Sequence, residues 1–267
     1  MNNQIPRYKK VIFFWNWKPF EKFILLLNWV LATIFFILGF TVPMFINPDS
    51  HPFGGTCRGW VLNVVSYLGN IFNFLSIIIS TRKHISNFFF GFIGCIFLGI
   101  SSLLLSCNGN AILYVIFYLP AQVTGFILWK RSANGKKTIE PYRKLYWWEN
   151  LILWSVVIGA TIGFMFIDKI PNFQIFMNGG AIKPPYDSQV LLWMRYFVDS
   201  AGLIVGMCAM IMMLLRVREQ WFLWLIIDIV TLILHCIVTN TQMICAFAVS
   251  LINAFYGIIT WGVFKKK

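Results

Sequence analysis

The sequence predicts an all-α membrane protein with eight transmembrane helices, laid out as one leading helix and then three, one and three. Three observations carry this reading. Of 267 residues, 59% are apolar and 12% charged, about half the roughly 25% charge of a soluble domain, and mean hydropathy is +0.74. Eight windows each approach the ~20 apolar residues that a bilayer core requires. Lys and Arg fall almost wholly on one side of those windows. A soluble globular enzyme and a disordered chain are both excluded.

Span one (23–43) follows a basic segment, is too long for a signal-peptide core and precedes no small-residue cleavage site, so it reads as a retained helix. Span two (60–80) ends before the basic turn Arg82-Lys83, and span three (87–106) follows it. Span four (111–129) closes on Gly125-x-x-x-Trp129-Lys130. Span five (150–167) is flanked by Trp147, Trp148 and Trp154, as in an interfacial aromatic belt. Span six (192–215) leads into Arg216-Val217-Arg218, and span seven (221–239) follows. Span eight (242–263) holds Gly257-x-x-x-Trp261 before a lysine tail.

A net charge of +13 would suggest nucleic acid in a soluble chain; here it reads as a topology signal. With the N-terminus inside, the inner segments hold five, two, six, two and three Lys or Arg. Four lie outside: Arg58, Lys169, Lys183 and Arg195. Cytoplasmic loops are enriched in these residues, so both termini are placed in the cytoplasm and no nucleic-acid partner is expected. The six cysteines form no close pair. Cys57 and Cys107 both fall in outer loops, where a disulfide and two free thiols are both open readings. The three histidines show no metal-ligand spacing, and no nucleophile elbow, paired-carboxylate or phosphate-cradling pattern occurs. No enzyme activity, metal or cofactor is expected.

Spans two to four and six to eight look like two copies of one unit. Each has a basic turn after its first helix and ends on Gly-x-x-x-Trp. Arg82 to Trp129 is 47 residues, and Arg216 to Trp261 is 45. Span five, between the units, gives both the same orientation. Parallel three-helix repeats are a transporter architecture, with the substrate between the repeats near the midplane.

Polar groups in hydrocarbon face a bundle interior or a cavity. Span two presents Asn63, Ser66, Tyr67, Asn70 and Asn73 at helical spacing, and span four presents Asn110, Tyr114, Tyr118 and Gln122. Span seven presents Trp221, Trp224, Asp228, Thr231 and His235; span eight presents Ser250, Asn253, Tyr256 and Thr260. Amides and hydroxyls pair with a polar ligand, and Trp and Tyr faces stack on a ring or attract a cation. Blander readings stand beside these. Asparagines also serve as helix–helix glue. Gly125 and Gly257 permit close packing. Trp129 and Trp261 read first as belt residues, and Trp221 stays open between belt and site. Asp199 is either a plain i, i+4 partner of Arg195 or functional. Asp228 has no basic partner on its own helix, which makes it a functional candidate by default, against a structural lock onto the span-two asparagines.

The stretch Asp199 … Glu219-Gln220-Trp221-x-x-Trp224-x-x-x-Asp228, followed by Asn253-x-x-Tyr256-Gly257 … Trp261, resembles the PnuC family of bacterial vitamin transporters over residues 60–264. The resemblance implies a SWEET-like fold, a homotrimer in the bacterial cell membrane, and facilitated diffusion of nicotinamide riboside with trapping by a cytoplasmic kinase. Relatives carry thiamine, riboflavin or deoxynucleosides. It implies substrate contact for Trp221, Trp224, Asn253 and Tyr256. Gln122, Asn70, Asn73 and Asp228 join them from the polar stripes. The chain departs from the family at Met210 and His235, where nicotinamide riboside carriers often have Gln and Tyr; both positions bear on which ring or ribose groups are read. A cationic ring on a polyhydroxyl sugar suits these residues. The same argument fits thiamine, and fits neutral riboflavin and deoxynucleosides less well. A non-transporting receptor or scaffold is the reading from another class, without the sizeable soluble domain that would mark it. The expected organisation is a cytoplasmic segment (1–22), the leading helix and outer loop (23–59), the first repeat (60–130), a loop, linker helix and outer loop (131–191), and the second repeat with its basic tail (192–267).

Overall fold

The computed structural model describes residues 17–46, 57–105, 108–133, 144–168, 189–237 and 241–264. They form α1 (Pro19–Ile46), α2 (Cys57–Thr81), α3 (Asn87–Leu104), α4 (108–132), α5 (Trp147–Asp168), α6 (Gln189–Leu214), α7 (Gln220–Ile237) and α8 (Thr241–Thr260). These helices match the apolar windows to within a few residues. Seven are long and apolar enough to cross a membrane; α7 is a shorter apolar helix by the same measure. Cys107, and with it the question of a Cys57–Cys107 pair, lies outside the described residues.

In lipid, helices are held by van der Waals packing and interhelical hydrogen bonds rather than by apolar burial. α2, α3 and α4 pack in sequence, as do α6, α7 and α8. Contact between the two sets is reciprocal: the first helix of each meets the third of the other, α2 on α8 and α6 on α4. α1 straddles α2 and α8, and α5 leans on α6. Most of α5 is uncovered. Leu151, Ile158 and Phe166 point outward, Trp147, Trp148 and Trp154 are exposed at its start as a belt requires, and a Cβ at Gly159 or Gly163 would meet nothing within 4 Å.

The α2–α3 and α6–α7 turns share one geometry. Lys83 and Arg216 both have φ 58°. Lys83 N–H donates to Ser80 O (2.8 Å) and His84 N–H to Ile79 O (3.3 Å); Arg216 N–H donates to Met213 O (3.0 Å) and Val217 N–H to Met212 O (2.9 Å). This is a Schellman cap, whose left-handed position is usually glycine. Gly262 fills that position after α8, at φ 65°. A cation there carries backbone strain of about 1–2 kcal/mol, offset by its attraction to the helix C-terminus. These turns, the start of α1 and the end of α8 share one face of the bundle, called here the basic face.

Asp199 proves to be a cap. Its carboxylate accepts from the backbone N–H of Gly109 (2.7 Å) and Asn110 (3.2 Å), in the first turn of α4. Those donors have no partner inside their own helix. Asp199→Ala is therefore expected to cost about 1–2 kcal/mol, read as a lower thermal midpoint of the detergent-solubilised protein.

Candidate functional site

A cavity of about 60 Å³, room for several waters, lies between the two helix sets. Every helix of both sets lines it: Asn73, Ser76 and Ser80 from α2, Cys95 from α3, Tyr114, Tyr118 and Gln122 from α4, Met210 and Met213 from α6, Trp221, Trp224 and Asp228 from α7, and Phe247 and Ala254 from α8.

The α4 wall departs from α-helix. Leu113–Tyr118 form a π-helical turn, in which Leu119 N–H bonds to Tyr114 O. The cause is Pro120, which has no N–H and whose ring crowds the carbonyl four residues back. An α-helical i, i+4, i+8 row drifts about 40° per step at 3.6 residues per turn. The wider turn takes part of that back, so Tyr114, Tyr118 and Gln122 line one cavity. Tyr114 and Tyr118 meet edge to face at 5.6 Å, and Tyr118 lies 6.2 Å from Trp224.

Asp228 is 6% exposed and makes no hydrogen bond or ion pair among the described residues. The lock onto the α2 asparagines is therefore not formed. A carboxylate facing a largely apolar cavity is costly unless a cation or donor meets it. The Tyr118 hydroxyl and Gln122 Oε1 are also buried without a protein partner. Gln122 Nε2 points to Cys95 Sγ at 3.8 Å. A Cβ at Gly91 would fall 2.7 Å from Gln122 Oε1, so the glycine makes room for this amide.

Trp221 in the cavity wall is the first of a row of four buried rings near the basic face. Phe88 meets Trp129 edge-on at 4.8 Å, Trp129 lies 6.3 Å from Trp261, and Trp261 lies 6.1 Å from Trp221. Trp129 Nε1 donates across the sets to Met213 O at 3.3 Å. The belt reading of Trp129 and Trp261 is thus corrected: they are 0% and 2% exposed. They stand at helix ends, but neighbouring rings and the facing set cover them. The Gly-x-x-x-Trp motif acquires a mechanism here. A Cβ on Gly125 would sit 2.2 Å from Phe88, and one on Gly257 would sit 2.3 Å from Trp221. Each glycine admits the aromatic that starts the middle helix of its own set, and each Trp one turn later packs on that ring.

Of the residues expected to touch substrate, Trp221, Trp224, Asp228, Gln122 and Asn73 are brought together in the cavity wall. Asn70 and Asn253 are buried beside it, one turn from Asn73 and next to Ala254, and their amides have no partner among the described residues. Tyr256 stands elsewhere: its hydroxyl donates to Glu21 at the start of α1 (3.0 Å). His235 stacks on Phe247 at 5.5 Å and does not reach Asp228. Met210, one of the two departures from the family pattern, does line the cavity. Sequence reasoning passed over Ser76, Ser80, Cys95, Met213, Phe247 and Ala254, whose small or apolar side chains carry no signal.

A sequence profile described as Nicotinamide mononucleotide transporter matches residues 63–263. The protein named nicotinamide riboside transporter PnuC in Neisseria mucosa is 23% identical, with 95% of this chain and 85% of the relative covered. Its namesake in Haemophilus influenzae is 26% identical, with 94% and 93% covered, and that of Escherichia coli is 25% identical, with 76% and 87% covered. The crystal structure of the vitamin B3 transporter PnuC superposes with a TM-score of 0.66 at 22% identity over 96% of both chains, so the fold is shared.

Proposed function

The chain belongs to the nicotinamide mononucleotide transporter family, a family of membrane transporters and not of enzymes, and on that premise we propose that it carries nicotinamide riboside across the cell membrane. The observation that carries this reading is the cavity wall itself: one unpaired carboxylate, two Trp and two Tyr rings, and amides of Gln122 and Asn73. A cationic pyridinium ring pairs with Asp228 and stacks on Trp224 or Tyr118. The ribose hydroxyls and carboxamide take the amides and the Tyr118 hydroxyl. Asn70 and Asn253 back this set. The transporter crosses the membrane eight times: α7, at about 1.5 Å per residue, nearly matches a hydrocarbon core of about 30 Å. Its core is a SWEET-like parallel repeat with α5 as linker, supported by the paired Schellman turns, the paired glycine–aromatic contacts and the reciprocal packing. The domain boundaries given above follow from it.

The basic face is cytoplasmic, as the charge partition supports. Transport is facilitated diffusion, with a cytoplasmic kinase retaining the product, and copies assemble as trimers in the bacterial inner membrane. Proteoliposome uptake of labelled nicotinamide riboside, thiamine, riboflavin and deoxynucleosides tests the cargo; uptake of none of them overturns the reading. In the same assay Trp224→Ala is expected to weaken uptake by about 5- to 150-fold, the roughly 1–3 kcal/mol range for removing one stacked aromatic face, with the protein still folded. Thiamine, also cationic and aromatic, is the second cargo that Asp228 favours.

A further inference from the structure

α1 lies outside the residues that the family profile matches, yet its contacts are specific. Along α2, Asn63 Nδ2 donates to Phe36 O (3.1 Å), and the Thr33 and Tyr67 hydroxyls meet at 3.2 Å. At its start, Glu21 is 3% exposed and gathers three donors: its own Lys18 N–H (2.9 Å), Arg82 Nη1 (3.1 Å) and the Tyr256 hydroxyl (3.0 Å). Trp17 lies 5.6 Å from the Arg82 guanidinium, and Phe20 packs on Tyr256 at 5.0 Å. Arg82 belongs to the α2–α3 turn of the first set and Tyr256 to α8 of the second. Glu21 therefore joins the two sets through a residue that belongs to neither. The next residue in the turn, Lys83, sits over the Trp261 ring at 5.9 Å, on the row of four rings that begins at Trp221 in the cavity wall.

We propose that Glu21 is the latch of the basic-face gate. Trp221 bounds the cavity, the three rings behind it pack across the two sets toward that face, and the Glu21 contacts to Arg82 and Tyr256 hold the sets together there. The cavity opens to the basic face only when these contacts part. Both are charge-assisted hydrogen bonds on a carboxylate with little solvent around it, so they are stronger than an exposed surface pair. The carboxylate also sits in the first turn of α1, where the helix dipole favours a negative charge. The inference rests on the transporter reading, since only a carrier must open its cavity to this side.

The test reads opening by chemistry and needs no cargo. Cys95, buried in the cavity wall, serves as reporter in the full-length chain with the other five cysteines replaced. A membrane-impermeant methanethiosulfonate reagent is added from one side of the vesicle at a time. Glu21→Gln and Tyr256→Phe are each expected to speed Cys95 modification from the basic face by about tenfold, the change that one charge-assisted hydrogen bond makes to an equilibrium, with no increase from the opposite face. Unchanged rates in both variants would overturn the latch. Equal increases from both faces would also overturn it, because they would mean that α1 merely staples the bundle. Tyr256→Phe removes a single hydroxyl and keeps the test valid if Glu21→Gln folds poorly. Loss of nicotinamide riboside uptake by the unmodified chain would instead count against the cargo.

Discussion

Asp228→Asn is expected to take up nicotinamide riboside at least tenfold more weakly than the parent, while the folded protein stays at least as stable. The two halves of this expectation have opposite signs for a physical reason. Asp228 has no protein partner among the described residues, so its burial is a cost to the fold that a neutral amide of the same shape relieves. A bound cation loses a charged partner, worth about 1.5–3 kcal/mol, or about 10- to 150-fold in affinity. The neutral, reduced form of the same riboside has no positive ring and is expected to respond little. Uptake and thermal-midpoint measurements on one preparation settle the matter. A parallel fall in both would mean that the carboxylate supports structure.

Gly257→Val is expected to give a large loss of stability. The nearest atom to a new Cβ is Trp221 Cδ2 at 2.3 Å, far inside van der Waals contact. That indole cannot retreat, because it is 2% exposed and rests on Trp261. Overpacking of this kind costs about 1–3 kcal/mol and more where nothing can move. Gly125→Val meets Phe88 in the same way. Gly159→Ala, on the open face of α5, is the control: with no atom near it, alanine gains helix propensity of roughly 0.5–1 kcal/mol. Yield and thermal midpoint in detergent should fall for the first two and hold or rise for the third. A loss at Gly159 equal to that at Gly257 would sink the packing argument.

The helices were legible because each writes its own signal locally, in about 20 apolar residues bounded by charge. The candidate cavity wall was legible where a helix carried polar and aromatic residues on one face, as α7 does with Trp221, Trp224 and Asp228. It was not legible where meaning depends on a second helix. Gly125 gains its role only from Phe88, and Trp129 looks like a belt residue until the facing set covers it. Tyr256 follows Asn253 by three residues, about 60° around the helix. That rotation turns it from the bundle interior toward α1, where Glu21 waits 235 residues away in sequence. The π-helical turn had a readable cause in Pro120, since a proline inside an apolar run signals a break in α geometry.

The proposed repeat has a consequence for how the proposed cargo would sit. The paired turns fix an offset of 133 residues between the middle helices. Asp228 therefore corresponds to Cys95 and Trp224 to Gly91. Parallel halves are related by a half turn about the membrane normal, so a box built from two like halves would offer a ligand two equivalent poses at one depth, related by that half turn. In this box a reversed ligand meets a thiol where it needs a carboxylate, and finds Gln122 filling the space beside Gly91 where it needs a ring. The scaffold is doubled but its lining is not, so the proposed cargo keeps its cationic ring on the α7 side of the box in every cycle.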